Sequence, residues 1–267
     1  MLRPQTLLLT FLGEAILGRD LAVYSGTFVE VMQRLGVSED ATRSTLSRMV
    51  SRGLLARHRR GRKVYFGITA RAVGVLAEGA DRLWSQGAVN RDSDGSWTVL
   101  SFSLPESRRD ERHQLRSLLR WSGFGPLRSG LWIAPGSVDL AAVLHDERLL
   151  DHVQIFRAEP VTDVARIVSE AFDIDAIAAR YDEFLQRWGP PRPLPDAPDD
   201  LARQLWLVSD WLLVLRDDPR IPLRYLPARW PAVAAERAFR RRHAAFRPKA
   251  ELILDGMLDS IEAPVTP

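Results

Sequence analysis

The chain has 267 residues, 46% hydrophobic and 27% charged, with no cysteine and a formal net charge of +3. That is the composition of a soluble globular protein with room for two or three domains; the missing thiols exclude disulfides, thiolate-held metal and a cysteine nucleophile, and suit the cytoplasm. No apolar run approaches the roughly 18 residues of a membrane span. Charge is uneven: residues 1–90 hold thirteen Arg and Lys against seven Asp and Glu, +6, which leaves −3 for the rest. Residues 41–77 carry nine basic side chains and no acidic one, so attraction to a polyanion belongs to this part of the chain.

In chain order, Pro4 suits a first helical position and the apolar run to Leu17 ends at Gly18, which predicts a buried helix over 4–17. Arg3 and the leucines after it have the outline of an export signal, but Glu14 follows and no small-residue cleavage site does. Ser25 offers an N-cap to a second helix in which Phe28, Val31, Met32 and Leu35 recur at helical spacing before Gly36. Ser38 caps a third, with Glu39 and Asp40 in its first turn, that runs to Arg52 before Gly53. Two helices joined by a short glycine-containing turn predict a helix-turn-helix. At about 100° per residue, Thr42, Leu46 and Met49 share the inward face of the third helix, while Arg43, Ser44, Ser47, Arg48 and Ser51 share the opposite one. Residues 54–59 and 63–68 flank Arg60-Gly61-Arg62 as a β-hairpin with a basic tip, a wing, and Thr69 caps a helix to about Trp84.

Residues 86–95 are polar and unpatterned, hence a linker. Beyond it 97–103 reads as a strand, 108–121 as a helix, 130–134 as a strand, 138–144 as a helix, 152–157 as a strand and 164–172 as a helix. This succession fits a small ferredoxin-like α/β sandwich whose fourth strand the pattern does not supply. From Asp173 the character is helical: 174–188, a proline-rich break at 189–195, 201–216, then, past Pro231, a helix to about Phe246, a stop at Pro248 and a last helix over 249–257. The tail 263–267 is expected to be disordered. The sequence thus predicts an α+β protein of three domains: a winged helix-turn-helix over 1–86, a ferredoxin-like middle domain over 95–172 and a helical C-terminal domain over 173–262.

Several segments carry a family likeness: Arg3-Pro4-Gln5-Thr6-Leu7-Leu8-Leu9-Thr10, Gly36-Val37-Ser38 leading into Arg43-Ser44-Thr45-Leu46-Ser47-Arg48, the hairpin end Tyr65-Phe66-Gly67-Ile68-Thr69, Trp97-Thr98-Val99-Leu100-Ser101-Phe102, Gly130-Leu131-Trp132-Ile133, and Leu226-Pro227-Ala228-Arg229-Trp230-Pro231. In this order they resemble the PaaX family of bacterial repressors over nearly the whole chain. The resemblance implies a winged-helix head, a middle domain like the ferredoxin-like small nuclease of CRISPR adaptation, a helical C-terminal domain, dimeric binding to a palindromic operator, and release from DNA by phenylacetyl-CoA. Tyr24 stands where the family has tryptophan and Gly67 where it often has arginine. These departures favour membership over orthology and leave the effector open.

Candidate DNA contacts are Ser38, Thr42, Arg43, Ser44, Ser47 and Arg48 on the third helix and Arg59, Arg60, Arg62, Lys63 and Tyr65 on the wing. Arginine pairs bidentately with guanine edges or reaches phosphates, and serine adapts to either. An aryl-CoA effector needs cations for its phosphates and aromatics for its ring, which singles out Arg128, Trp132, Trp206, Trp211 and Arg216; core packing is the alternative for the tryptophans. The expected partners are double-stranded operator DNA, a second copy of the chain and this small effector, with no cofactor and no membrane. A rival reading is a metal-dependent nuclease built on the middle domain. It needs convergent carboxylates at a strand end, whereas the strand from Trp97 has none and the nearest, Glu106, lies beyond Pro105. His113, His145, His152 and His243 show no ligand spacing. A scaffold without sequence preference is a third reading, against which the basic wing argues.

Overall fold

The computed structural model describes residues 2–91, 93–139 and 151–265. The chain forms two compact units, one of residues 1–85, 184–213 and 237–267, the other of 86–183 and 214–236.

In the first unit, α1 (Pro4–Ala15) buries Leu7, Leu8, Phe11 and Leu12. A strand follows that the apolar periodicity does not announce, β1 (Leu21–Tyr24), and it runs directly into α2 (Ser25–Arg34). Tyr24 therefore takes the N-cap position and Ser25 is the first helical residue, which corrects the expected serine cap by one position. Phe28 of α2 packs edge-on against Phe11 and Phe66 at 5.5 and 6.0 Å, tying helix to sheet. At the end of α2 the Val37 amide donates to the Met32 carbonyl (2.9 Å) and that of Gly36 to Gln33 (3.0 Å), a Schellman closure. It requires φ of 79° at Gly36, a left-handed value that a Cβ would strain. The turn delivers α3 (Glu39–Ser51), whose N-cap Ser38 accepts from the Ala41 amide. The hairpin is β2 (Leu55–Arg60) and β3 (Lys63–Ile68), with Arg60 opposite Lys63 across Gly61-Arg62. Then come α4 (Ala70–Asp81), capped by Thr69, and a wider turn to Gln86.

The hairpin belongs to a four-stranded antiparallel sheet, β2-β3-β1-β8, whose last member is β8 (Ser260–Glu262) from the other end of the chain. Ala263 is buried and its amide donates to the Asp20 carbonyl at 2.9 Å, so the tail expected to be disordered is anchored at its first residue. The connection to β8 is α9 (Pro231–Met257), which continues through Pro248 instead of stopping there. Proline removes one ladder bond and crowds the carbonyl four residues back. Burial of Phe246 before it and of Ala250 and Leu254 after it holds the helix together across that defect. The same core receives Leu201, Ala202 and Leu205 of α8 (Asp200–Arg216).

In the second unit, the stretch read as an unpatterned linker is pinned. The Leu223 amide donates to the Asn90 carbonyl (2.9 Å), the Asn90 side chain donates to the Arg220 carbonyl (3.0 Å), and Ala88 and Val89 are buried. The unit's sheet has the order β5-β6-β4-β7, from β4 (Trp97–Phe102), β5 (Gly125–Arg128), β6 (Leu131–Pro135) and β7 (Val153–Ala158), all antiparallel. β5 is the strand that the sequence pattern did not supply; Pro126 and a bulge before Arg128 hide its alternation. Of the helix expected over 138–144, all but the first two residues lie outside the described ones. Leu100, Phe102 and Trp132 pack on Leu115 and Leu119 of α5 (Arg109–Trp121), while Trp97 and Ile133 pack on Val168, Ala171 and Phe172 of and just after α6 (Val164–Ala171). α7 (Ile174–Trp188) contributes Tyr181, whose hydroxyl donates to the Asp218 carboxyl and whose ring meets Trp230 edge-on. Among the described residues no helix is long and apolar enough to cross a membrane.

Candidate nucleic-acid interface

The local rules that shape α3 also sort its side chains. Thr42, Thr45, Leu46 and Met49 are buried, and the two threonine hydroxyls donate back to the Ser38 and Ala41 carbonyls at 2.9 and 2.7 Å. Arg43, Ser44, Ser47, Arg48 and Ser51 are exposed together on the other face. Thr42, placed among the DNA contacts by sequence, is fully buried; its hydroxyl serves the helix, and it has no surface left to offer a ligand. Ser38 is exposed but its hydroxyl is used as the cap.

Arg48 is the best-oriented cation on this face. Its guanidinium donates to Ser44 Oγ at 2.6 Å and to Thr45 Oγ1 at 2.8 Å, so the fork is laid along the helix before any partner arrives. Arg43 is instead engaged by Glu39 Oε1, 2.8 Å from Nε and 2.6 Å from Nη2. The role of Thr45 was not read from sequence, since its position on the inward face conceals that its hydroxyl reaches a neighbour on the outward one.

On the hairpin, Arg59, Arg60 and Arg62 are exposed around Gly61. Lys63 and Tyr65, grouped with them by sequence, sit lower and are tied down. Lys63 Nζ lies 2.6 Å from Asp259 Oδ2, and the Tyr65 hydroxyl, on a residue only 5% exposed, donates to Asp259 Oδ1 at 3.2 Å. Hydrogen bonding to Asp259 and then its charge raise the Lys63 pKa, and the hydrogen bond from Lys63 leads the effects that lower that of Asp259. Nothing local in sequence points to Asp259, which lies some two hundred residues away. The His58 ring covers Gly67: a Cβ there would come within 3.2 Å of its Nε2, so the glycine makes room for this imidazole.

The five effector candidates are divided between the two units, Trp206 and Trp211 in the first and Arg128, Trp132 and Arg216 in the second. Trp211 is fully buried, stacked on Phe239 at 5.0 Å, and Trp132 is buried on the α5 side of the second sheet. Trp206 packs against the first unit's core beneath Arg187. Arg128 is exposed and paired with Glu170. Arg216, paired with Asp217, does line a hollow of about 490 Å³ in the second unit, together with Arg120, Arg180 and Trp121, none of which the sequence reading had chosen.

An exposed helix face of serines and arginines, set by a glycine turn beside an arginine-tipped hairpin, has the residue types and local basic charge that a nucleic acid requires of a protein surface. The chain belongs to the PaaX family: its residues 3–72 match the PaaX-like protein model, 90–168 the PaaX protein central Cas2-like domain, and 172–256 the PaaX-like protein C-terminal domain. It is 26% identical over 240 residues to the transcriptional repressor PaaX of Escherichia coli K12, covering 84% of this chain and 74% of that protein. In fold it is similar to the uncharacterized protein Rv0674 from Mycobacterium tuberculosis, with a TM-score of 0.65 and 19% identity over 94% of this chain and 97% of that one.

Proposed function

We propose that the protein is a cytoplasmic, sequence-specific transcriptional repressor that binds operator DNA as a homodimer and is released by an aryl-CoA or related effector. The observation that carries the reading is Arg48, held by Ser44 and Thr45 on the exposed face of α3. On this reading α2 and α3 are the helix-turn-helix, α3 enters the major groove with Arg48 at base edges, and Arg59, Arg60 and Arg62 of the wing reach flanking phosphates. The strand order β5-β6-β4-β7, second-third-first-fourth within its sheet, supports a ferredoxin-like middle domain. The hollow lined by Arg120, Arg180, Arg216 and Trp121 offers cations for phosphates and an indole for an aryl group, and is the effector site on this reading.

Fluorescence anisotropy on the protein's own promoter region against scrambled DNA, with and without phenylacetyl-CoA, tests the function. Preferential promoter binding reversed by the thioester is the expected result. Equal binding to both DNAs would overturn the repressor reading, and promoter binding indifferent to the thioester would overturn the effector alone.

A further inference from the structure

The hollow beside α5 already contains an anion of the protein's own. Asp217, the residue after α8, takes the Arg216 guanidinium two-pronged, with Oδ1 3.1 Å from Nε and Oδ2 3.3 Å from Nη2. Its Oδ2 also lies 3.0 Å from Arg180 Nη1 of α7. One carboxylate thus holds two of the three guanidinia that line the hollow. The third, Arg120, is exposed and lies 5.6 Å over the Trp132 ring, and among the described residues no carboxylate pairs with it.

Folding does not account for Asp217. Its side chain is 36% exposed and those of Arg180 and Arg216 are 44% exposed, and ion pairs so open to solvent contribute little stability. A carboxylate just past the C-terminal end of α8 also opposes that helix's dipole. The fold is served instead by the neighbouring Asp218, which accepts from the Tyr181 hydroxyl and, at 2.7 Å, from the Arg220 amide. Consecutive carboxylates therefore meet consecutive residues of α7, Asp218 with Tyr181 and Asp217 with Arg180, and only the second pair lines the hollow.

The edge of Arg216 that Asp217 occupies is the edge by which a guanidinium takes a phosphate two-pronged. A ligand phosphate must displace the carboxylate to use it. Asp217 is tethered beside Arg216, so its effective concentration there is on the order of millimolar or more. A dissolved carboxylate brings the same single charge without the tether, and loses. A diphosphate brings two or more charges and reaches several guanidinia at once. We propose that Asp217 is a built-in competitor that sets the hollow's specificity, excluding singly charged carboxylates and yielding Arg180 and Arg216 to ligands that carry a diphosphate. For the natural ligand this rests on the effector reading above; the displacement itself does not.

Calorimetric titration of the full chain with inorganic pyrophosphate, and separately with benzoate, tests it without DNA or thioester. The parent is expected to bind pyrophosphate and not benzoate. In Asp217→Asn pyrophosphate binds about tenfold tighter, the gain of one charge-assisted hydrogen bond, and benzoate binding becomes measurable. Asp217→Ser repeats the test without an amide in place of the carboxylate. Adding Arg216→Ala to either variant removes the gain. Pyrophosphate binding absent throughout, or unchanged in both Asp217 variants, would overturn the inference, as would a gain that survives the loss of Arg216. Weaker binding in both variants would overturn it by making Asp217 a support that orients the arginines. Operator release by phenylacetyl-CoA is read separately: a thioester without effect on DNA, beside a tightened pyrophosphate titration, is a failure of the effector reading alone.

Discussion

Lys63, the first residue after the hairpin turn, is fastened to Asp259 from the far end of the chain: its ammonium lies 2.6 Å from the carboxylate and 4.8 Å over the Tyr24 ring. Asp259 also accepts from the Tyr65 hydroxyl, its carbonyl accepts from the Tyr24 amide at 2.8 Å, and the strand it leads into, β8, completes the sheet that carries the wing. One residue from the C-terminal segment thus touches both β1 and β3, beside the turn that carries Arg60 and Arg62.

Replacing Asp259 by Asn separates charge from position. Charge alone predicts tighter binding to every DNA, since a negative group near the wing is lost. Loss of the clamp mis-aims phosphate-contacting arginines and predicts a severalfold drop in affinity for operator and scrambled DNA alike, and that parallel drop is the expected anisotropy result; parallel tightening on both DNAs would show that the clamp does not aim the wing. In pH, the depressed Asp259 pKa contributes stability above the ordinary carboxylate value that is lost as pH falls through the folded one. The raised Lys63 pKa contributes stability below the ordinary ammonium value that is lost as pH rises through the folded one. The clamp is therefore insensitive between roughly pH 5 and pH 9, and operator affinity of Asp259→Asn relative to the parent stays constant across that window.

Arg48 and the wing arginines are distinguished by what they read. A base contact costs about 1–3 kcal/mol at the preferred site and relaxes preference at one position, whereas a phosphate contact weakens all sequences and lowers the salt slope by about one. Arg48→Ala is expected to follow the first pattern, and Arg60→Ala and Arg62→Ala the second. Anisotropy on a set of single-base operator variants at several salt concentrations reads both. Uniform loss from Arg48→Ala would remove it from the groove.

Local chemistry made the part proposed to face DNA legible in sequence. Ser38, Gly36, Gly53 and the alternation of buried and exposed residues on α3 are rules of neighbouring positions, and the helix, its turn and its outward face follow from them. What escaped is long-range or short. β1 has four residues and β8 three, too few for a period; β1 is a strand because β3 and β8 flank it, and β8 because it pairs with β1. β5 is masked by Pro126, and the helix through Pro248 survives on tertiary burial that propensity does not record. The hollow of Arg120, Arg180 and Arg216 draws on three helices far apart in sequence, so no spacing could have assembled it.

Glu39 restrains Arg43 on the face of α3. The pair is exposed, with side chains 48% and 62% accessible, so its contribution to stability is small, about 0–1 kcal/mol. Glu39→Gln therefore leaves the melting temperature nearly unchanged, frees one arginine and removes one repelling charge. DNA affinity at low salt rises, and the plot of log affinity against log salt steepens by about one phosphate contact. A lowered melting temperature with an unchanged salt slope would assign the pair to folding instead.

Trp211 and Arg216 lie in the same helix, α8, yet the structure gives them opposite fates. Trp211 is fully buried between Phe239 and Phe184, at 5.0 and 4.9 Å, whereas Arg216 is exposed beside Asp217 at the hollow with Arg120 and Arg180. Trp211→Ala leaves a large cavity and is expected to cost about 3–5 kcal/mol in denaturant unfolding. Arg216→Ala is expected to stay within about 0.5 kcal/mol of the parent, because no core packing is lost. Its effect belongs to the ligand: losing one guanidinium–phosphate contact of about 1.5–3 kcal/mol raises the phenylacetyl-CoA needed to release operator DNA by about tenfold or more, with affinity for DNA alone unchanged. Release curves that superimpose for Arg216→Ala, Arg120→Ala and the parent would take the effector out of this hollow.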